Sequence, residues 1–429
     1  MLYTAYELAY AAVTPARMAA RVGARFWRSP YNPVAGTWVG RSTAAALDVF
    51  ENVVRRYPKP QWDLDSVEVN GKTVPITATT TSRRSFCNLV HFERDPDALK
   101  AARGGKTTRD PAVLIVAPVS GHFATLLRGT VEAMLADHEV YITDWIDARN
   151  VPVALGRFDL NDYIDYLIGF LTELGPGAHG VAVCQPGPAL LSAAAIMAEH
   201  DDHMRPATIT LMGSPIDTRR SPTVPNLLSK ERPLEWFKQN MIYTVPPPYA
   251  GAMRRVYPGF VQLYSFLSMN SDRHLNAHYD YFQHLVDGDG DNAEKHRSFY
   301  DEYLSVMDMT EEFYVQTISE VFQKHSLAEG SFMHRGMRVK PEKITDIGLL
   351  TVEGENDDIS GIGQTQAAHD LCTNIPSEMK EDYVQPGVGH YGVFNGSRWR
   401  TEIQPKVAKF IRQHHAAGQN RAKKALAAE

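Results

Sequence analysis

The sequence predicts an α/β protein with a mostly parallel central sheet, flanking helices and a mainly helical cap inserted late in the sheet. Continuous apolar runs such as residues 112–117 are typical of strands buried on both faces of a parallel sheet. These runs alternate with helical stretches of about ten to fifteen residues, which indicates right-handed crossovers between parallel strands. The alternation stops after residue 213 and resumes near residue 344, so we place the cap between them.

Composition excludes several classes of protein. The 429 residues are 44% hydrophobic with a net charge of -6, so nucleic acid is not an expected partner. No stretch approaches the roughly 18 apolar residues of a membrane span, and no basic segment precedes an apolar core at the N terminus. The three cysteines are far apart and form no CxxC pair. We therefore expect a cytoplasmic protein without disulfides.

The elements follow in a regular order. After the N-terminal helices, Asn70-Gly71 predicts a hairpin over residues 67–76, and a third strand follows at 86–92. Apolar patterning then predicts strands at 112–117, 140–145, 180–183, 207–213, 347–354 and 382–384. The predicted helices lie at 122–136, 160–174, 189–197, 364–371 and 401–414.

These elements divide the chain into five parts. We assign an N-terminal helical segment (1–60), a first part of the core (61–213), the cap (214–343), a second part of the core (344–415) and a flexible tail (416–429). The first helix carries a basic face at Arg17, Arg21, Arg25 and Arg28. We interpret it as a solvated face on a docked helix, with binding to a lipid or polymer surface as the alternative.

The candidate catalytic nucleophile is Cys184, which lies where a predicted strand turns sharply into a helix. An apolar strand, a small reactive residue and then a Pro-Gly helix start form the nucleophile elbow of α/β-hydrolases. The common pattern is G-x-S-x-G, whereas Ala182, Cys184 and Pro186 occupy its specified positions here. Because buried cysteines are mostly inert, a catalytic role for Cys184 depends on finding its partners.

Candidate partners follow two later strands. Catalytic groups of an open parallel sheet lie beyond the carboxyl ends of its strands. The acidic run after Gly354 offers Asp357, with Glu355 and Asp358 as alternatives, and a glycine-rich loop after the last strand carries His390. The order of thiol, acid and histidine is the order of the α/β-hydrolase triad.

A nucleophile of this kind also needs donors for the oxyanion. We expect the backbone N–H of Gln185, the residue after the nucleophile, to be one donor. The second is expected from Val119 or Ser120, in the loop after the first long parallel strand. His122 in that loop either contacts substrate or is structural. No metal site is predicted, because the acidic run at Asp287 lacks the glycine and glutamate of a calcium loop.

Three stretches together resemble the intracellular polyhydroxyalkanoate (poly-3-hydroxybutyrate) depolymerases. They are VCQPGP at 183–188, LTVEGENDDI at 350–359 and GHYGVFNG at 389–396. The resemblance implies a triad of Cys184, Asp357 and His390 and a thioester intermediate. It also implies release of the product by water or by coenzyme A, and no resident cofactor. The implied partners are polyhydroxybutyrate granules and hydroxybutyrate oligomers, which would make the protein granule-associated.

Two alternatives remain at this point. Polyhydroxyalkanoate synthases use the same three residue types but carry a G-x-C-x-G-G elbow, from which the Ala182 and Pro186 positions depart. A catalytically silent granule scaffold is the second alternative. The sequence leaves open a homo-oligomer, the preferred side-chain length of the monomer and the substrate-binding residues of the cap.

Overall fold

The computed structural model describes residues 2–107, 109–269, 271–287 and 289–426. The strands are β1 Ser66–Val69, β2 Lys72–Arg83, β3 Cys87–Arg94, β4 Ala112–Val116, β5 Glu139–Trp145, β6 His179–Val183, β7 Thr208–Met212, β8 Tyr243–Thr244, β9 Arg255–Tyr257, β10 Met309–Thr310, β11 Met333–His334, β12 Met337–Arg338, β13 Gly348–Gly354 and β14 Lys380–Gln385. The helices are α1 Leu2–Arg28, α2 Trp38–Val54, α3 Pro96–Ala102, α4 Arg128–Leu135, α5 Leu160–Leu174, α6 Gly187–Glu199, α7 Val224–Glu231, α8 Leu234–Asn240, α9 Gly259–Met269, α10 Ser271–Asp287, α11 Gly290–Tyr303, α12 Glu311–Thr317, α13 Ala368–Leu371, α14 Gly396–Arg398 and α15 Gln404–Leu426.

A nine-stranded sheet forms the centre of the protein. Its strand order is β1-β2-β3-β5-β4-β6-β7-β13-β14. The first three strands and β5 pair antiparallel, and the pairs from β5 to β14 are parallel. This mostly parallel sheet with helices on its faces is the α/β-hydrolase fold that the sequence predicts. The carboxyl ends of β6, β13 and β14 lie at the same edge of the sheet, where the predicted catalytic residues follow them.

The parallel strands form the centre of the hydrophobic core. Every residue of β6, β7 and β13 is buried, whereas β2 alternates between buried and exposed positions near its start. The difference reflects position, since central parallel strands are covered on both faces and the antiparallel edge is solvated on one. The continuous apolar runs in the sequence therefore identified the central strands correctly.

The residues between β7 and β13 form the cap. They contain α7 to α12, a three-stranded antiparallel sheet of β8, β9 and β10, and the β11–β12 hairpin. The cap is joined to the core by the loop after β4: the Met307 N–H donates to the Gly121 carbonyl at 2.6 Å, and His122 forms a β-bridge with Val306. The loop predicted to supply an oxyanion donor is thus held by the cap as well as by the sheet.

The first two helices form an antiparallel hairpin. A Cβ at Gly23 would lie 3.0 Å from Leu47, so the glycine permits the close approach of α1 and α2. The Tyr3 hydroxyl donates to Asp308 at 2.7 Å, and the Tyr6 ring stacks on Phe260 at 4.0 Å. These contacts attach the start of α1 to the cap.

Three predicted segments differ from the observed elements. The helix predicted at 364–371 is reduced to α13, because the preceding amides donate to the buried carboxylate of Glu353 instead of continuing a helix. The helix predicted at 122–136 starts as a 3₁₀ turn, Ala124–Leu127, before α4. Residues 416–426 of the segment predicted as a flexible tail continue α15, and residues 427–429 lie outside the described residues.

A search of the described residues finds no helix with the length and apolar character that a membrane crossing requires.

Candidate active site

The elbow at Cys184 has the geometry of a strained nucleophile turn. Its φ angle is +66°, a conformation that costs a non-glycine residue on the order of 1 kcal/mol. The Cys184 N–H donates to the Met212 carbonyl at 2.7 Å, which fixes the turn against the end of β7. A Cβ at Gly187 would lie 2.3 Å from the Ser214 Cβ, so α6 can begin this close to the sheet only with glycine there. The structure therefore presents Cys184 at the corner that the sequence predicts.

His390 and Asp357 meet beside this elbow. His390 Nδ1 lies 2.8 Å from Asp357 Oδ2, and the side chains of both residues are buried. The other carboxylate oxygen of Asp357 accepts the N–H groups of Ile359 at 2.9 Å and Ser360 at 2.7 Å. These bonds hold the carboxylate so that it orients the imidazole.

The two alternative acids lie elsewhere. Glu355 and Asp358 are both exposed, and Glu355 accepts the Gly387 N–H at 2.7 Å. Asp357 is the acid of the three that contacts His390. The structure thus selects among the candidates that the sequence left open.

Cys184 is the second partner of His390. Because Nδ1 faces Asp357, Nε2 is the ring nitrogen that remains for the hydrogen bond to the thiol. Burial by itself lowers the pKa of His390, but the charges of Cys184 and Asp357 and their hydrogen bonds raise it well above its ordinary value. The imidazole therefore has one nitrogen toward the thiol and the other toward the carboxylate, the arrangement that proton transfer between the sulfur and the ring requires.

The other two cysteines have no such environment. Cys87 and Cys372 are buried, whereas Cys184 is partly accessible. Burial raises the pKa of the Cys87 thiol and raises that of Cys372 to about 12. Among the cysteines, only Cys184 combines access with a histidine partner.

The predicted oxyanion donors differ in their availability. The Val119 N–H donates to the side-chain oxygen of Gln185 at 2.9 Å. Within the described part of the chain, the backbone amides of Gln185 and Ser120 have no hydrogen-bond acceptor. The Gln185 and Ser120 amides are therefore available as donors, and the Val119 amide becomes available only when the Gln185 side chain moves.

Gly213, at the end of β7, is a site residue that our sequence analysis missed. Its φ is +55°, and a Cβ there would lie 3.2 Å from His390 Cε1 and 3.3 Å from Asp357 Oδ2. The glycine leaves room for the histidine–carboxylate pair. Its position as the last residue of the predicted strand 207–213 was the available signal.

Glu353 was also missed. This buried carboxylate in β13 accepts backbone amides of Gly363 at 2.8 Å, Thr365 at 2.7 Å and Gln366 at 3.1 Å. The Thr365 hydroxyl in turn accepts the Ser214 N–H at 2.7 Å. Glu353 therefore connects the strand that carries Asp357 to the backbone next to the elbow helix.

His122 is buried and its Nε2 lies 2.9 Å from the Tyr303 carbonyl of the cap. Burial lowers its pKa to about 4, so the ring is neutral at physiological pH and donates this bond. Of the two roles considered for His122, the contact supports the structural one.

An apolar cavity lies beside the elbow. Val321, in a π-helical turn of the cap at Ile318–Gln323, is part of its wall. The cavity is lined by Leu160, Tyr163, Gln185, Pro186, Pro188, Ala189, Phe313, Thr317 and Val321.

Among the described residues, no group of three or more His, Cys, Asp or Glu side chains is arranged to hold a metal ion.

Comparison with known proteins confirms the resemblance. Residues 213–415 match the family model described as the PHB de-polymerase C-terminus, a range that includes Asp357 and His390. Over 112 residues the chain is 27% identical to the poly(3-hydroxyalkanoate) polymerase subunit PhaC of Haloferax mediterranei. That match covers 26% of this chain and 22% of the length of that protein. The chain is thus similar to polyhydroxyalkanoate depolymerases and polymerases over these ranges, and its central sheet is that of an α/β-hydrolase.

Solved structures that align with the chain include an esterase and a hydrolase. A thermophilic esterase from Thermogutta terrifontis aligns with a TM-score of 0.41 and 14% identity, over 79% of this chain and 99% of that chain. The 2-hydroxy-6-oxo-6-phenylhexa-2,4-dienoate hydrolase from Rhodococcus sp. strain RHA1 aligns with a TM-score of 0.40 and 13% identity, over 79% and 100% of the two chains.

Proposed function

We propose that this protein is an intracellular poly(3-hydroxybutyrate) depolymerase that cleaves the polyester through a covalent thioester on Cys184. The proposal rests on two hydrogen bonds of His390 at one edge of the sheet, one to Cys184 and one to Asp357. The match of residues 213–415 to the depolymerase family model supports the choice of substrate.

In the first half of the reaction His390 removes the thiol proton, and the Cys184 sulfur attacks an ester carbonyl carbon. The carbonyl electron pair moves to oxygen, where backbone N–H groups of Gln185 and the 119–120 loop stabilise the charge. His390 then gives its proton to the departing alkoxide, which leaves as the hydroxyl end of the shortened polymer. Asp357 keeps the imidazole oriented throughout.

The second half of the reaction releases the acyl group. Water gives one proton to the neutral His390 and attacks the thioester carbon, the carbon–sulfur bond breaks, and His390 passes its proton to the Cys184 sulfur. The product leaves as a carboxylic acid, which then ionises in solvent. Coenzyme A is the alternative acceptor: its thiol in place of water gives an acyl-CoA and the same free enzyme. Neither route includes an oxidation or a reduction, and we propose that the reaction uses no resident cofactor.

The surroundings of Cys184 suit an apolar polymer. The cavity beside the elbow is walled mainly by apolar and aromatic side chains, of which Tyr163 and Phe313 are the largest. The cavity has room for about one water molecule, so we propose that Phe313 and Val321 of its wall move aside when the apolar part of a hydroxybutyrate oligomer binds. The polymer itself is insoluble, so the enzyme would act in the cytoplasm at the surface of storage granules.

A synthase-type acyltransferase is the second candidate. The similarity to the Haloferax mediterranei polymerase subunit favours it. The same thioester would then be transferred to the hydroxyl end of a growing polymer. The elbow sequence argues for the depolymerase, since Ala182 and Pro186 stand where the synthase pattern has glycine.

One assay separates these candidates. Purified protein is incubated with amorphous polyhydroxybutyrate granules, with and without coenzyme A, and in parallel with 3-hydroxybutyryl-CoA alone. Soluble hydroxybutyryl products that are absent with Cys184→Ala support the depolymerase, and their appearance as acyl-CoA identifies the acceptor. Polymer formed from the acyl-CoA would support the synthase, and no reaction in either direction would support a silent scaffold.

A further inference from the structure

The turn between α1 and α2 carries an unusual exposed surface. We define the hairpin tip as residues 21–41, which include the end of α1, the connecting loop and the start of α2. Its large apolar side chains point into solvent, with exposed fractions of 66% for Val22, 62% for Phe26, 94% for Tyr31, 69% for Trp38 and 58% for Val39. A cluster of this kind on a soluble protein marks an interaction surface.

The hairpin tip is remote from the contacts that attach the hairpin to the rest of the protein. Tyr3 and Tyr6 anchor the start of α1, and the end of α2 is anchored by the Arg55–Asp301 ion pair and the Asn52–Tyr281 hydrogen bond. Because α1 has 27 residues, it is about 40 Å long. The apolar side chains of the tip are therefore presented at the far end of a long, anchored arm.

The loop of the tip is also ordered in its exposed form. Successive backbone turns link Asn32 to Ser29, Ala35 to Asn32 and Thr37 to Val34. A Cβ at Gly40 would lie 2.1 Å from the Val34 carbonyl oxygen, so loop and helix are tightly packed. A preformed surface loses little conformational entropy when it binds a partner.

The charge of the hairpin tip indicates what kind of surface it binds. The hairpin tip contains no acidic residue, although the whole chain has a net charge of -6. It carries exposed arginines at Arg21, Arg25 and Arg41. Aromatic side chains flanked by arginines are the composition of segments that insert into the headgroup region of an anionic lipid layer. A neutral polyester surface would account for the aromatics and leave the arginines unexplained.

We propose that the hairpin tip is a lipid-docking surface, in which Phe26, Tyr31 and Trp38 insert into a negatively charged lipid layer and the arginines bind its headgroups. The proposal is independent of the chemistry at Cys184. Both can be measured separately, since cleavage of soluble oligomers does not require a surface.

The test is flotation of the full-length protein with vesicles of phosphatidylcholine, with or without an equal part of phosphatidylglycerol. We expect binding to the anionic vesicles that weakens with salt. Arg21→Gln/Arg25→Gln/Arg41→Gln should weaken it about a hundredfold, from about fivefold per arginine. Phe26→Ser/Tyr31→Ser/Trp38→Ser should weaken it at least as much.

The matched control replaces exposed apolar residues elsewhere. Leu155→Ser/Met253→Ser removes side chains that are 54% and 73% exposed, and it should bind vesicles as the wild type does. Circular dichroism and cleavage of soluble oligomers verify that each variant is folded. Absence of wild-type binding to anionic vesicles, or equal binding by all variants, would overturn the proposal. So would a wild-type dimer that the aromatic variant abolishes, or binding to lipid-free polymer that survives the arginine changes.

Discussion

The side-chain oxygen of Gln185 accepts a hydrogen bond of 2.9 Å from the backbone amide of Val119. Gln185 directly follows Cys184, and Val119 lies in the loop expected to help stabilise the oxyanion. A side-chain carbonyl thus holds one of the amides that a substrate carbonyl would need. In the proposed mechanism, substrate binding displaces the Gln185 side chain from Val119.

This relationship predicts that two substitutions of Gln185 change kcat to very different extents. Gln185→Glu puts a carboxylate on the Val119 amide, next to the charge that develops on the substrate, so we expect kcat to fall about a hundredfold. Gln185→Ala removes the acceptor and should change kcat by less than about tenfold. Steady-state kinetics on a soluble oligomer measures both, and a glutamate variant as active as the alanine variant would contradict the interpretation.

Gly213 is expected to be essential for the geometry of the site. In Gly213→Ala the new methyl group meets His390 and Asp357, so activity should fall by more than the accompanying loss of stability explains. Gly104→Ala is the matched control, since its φ is +63° with open space around it. Both variants should lose about 1 kcal/mol in the free energy of unfolding. Only Gly213→Ala should lose activity; equal activities would show that the site tolerates the methyl group.

Asp357→Asn should keep the fold and lose most of the activity. An amide in place of the carboxylate favours the wrong imidazole tautomer, an effect that reduces kcat by up to about 10⁴-fold in comparable triads. Asp358→Asn changes the exposed neighbour and should leave kcat within about twofold of the wild type. If Asp358→Asn abolished activity and Asp357→Asn did not, the acid of the triad would be Asp358 and our assignment would be wrong.

The pKa of His390 predicts a pH dependence of stability. Because this pKa is raised in the folded state, the charges around the ring stabilise the protein fully below the ordinary histidine value of 6.5. The contribution is lost as the pH rises through the raised value. Denaturant unfolding should therefore show a larger loss of stability for His390→Gln at about pH 6 than at about pH 10. The exposed His200→Gln serves as control, and a loss that grows with pH would refute the assignment.

The sequence predicted those features that local patterns determine. Helix α5 coincides with its predicted range because Asp159 caps its start and Gly175 ends it. Cys184, Asp357 and His390 were identifiable because each follows a recognisable strand, and parallel strands bring their carboxyl ends to one edge.

Other features depend on contacts between residues distant in the sequence. The Gln185–Val119 bond spans 66 residues, and Gly213 is important because of side chains that lie more than 140 positions later. Residues 416–426 looked like a tail because they are polar. A Cβ at Gly418 would lie 2.5 Å from the Ala207 Cβ, so α15 still packs against the core at residue 418. Such packing leaves no periodic signal in the sequence.

The thioester on Cys184 is the central claim, and mass spectrometry of the peptides of the acid-quenched protein tests it most directly. Wild-type protein is mixed with a soluble hydroxybutyrate oligomer, quenched in acid during turnover and digested for peptide mapping. We predict an added mass of whole hydroxybutyryl units on the peptide that contains Cys184, removed by hydroxylamine and absent from Cys184→Ala. Turnover without any adduct on this peptide, or an adduct on a serine that persists in Cys184→Ala, would contradict the account.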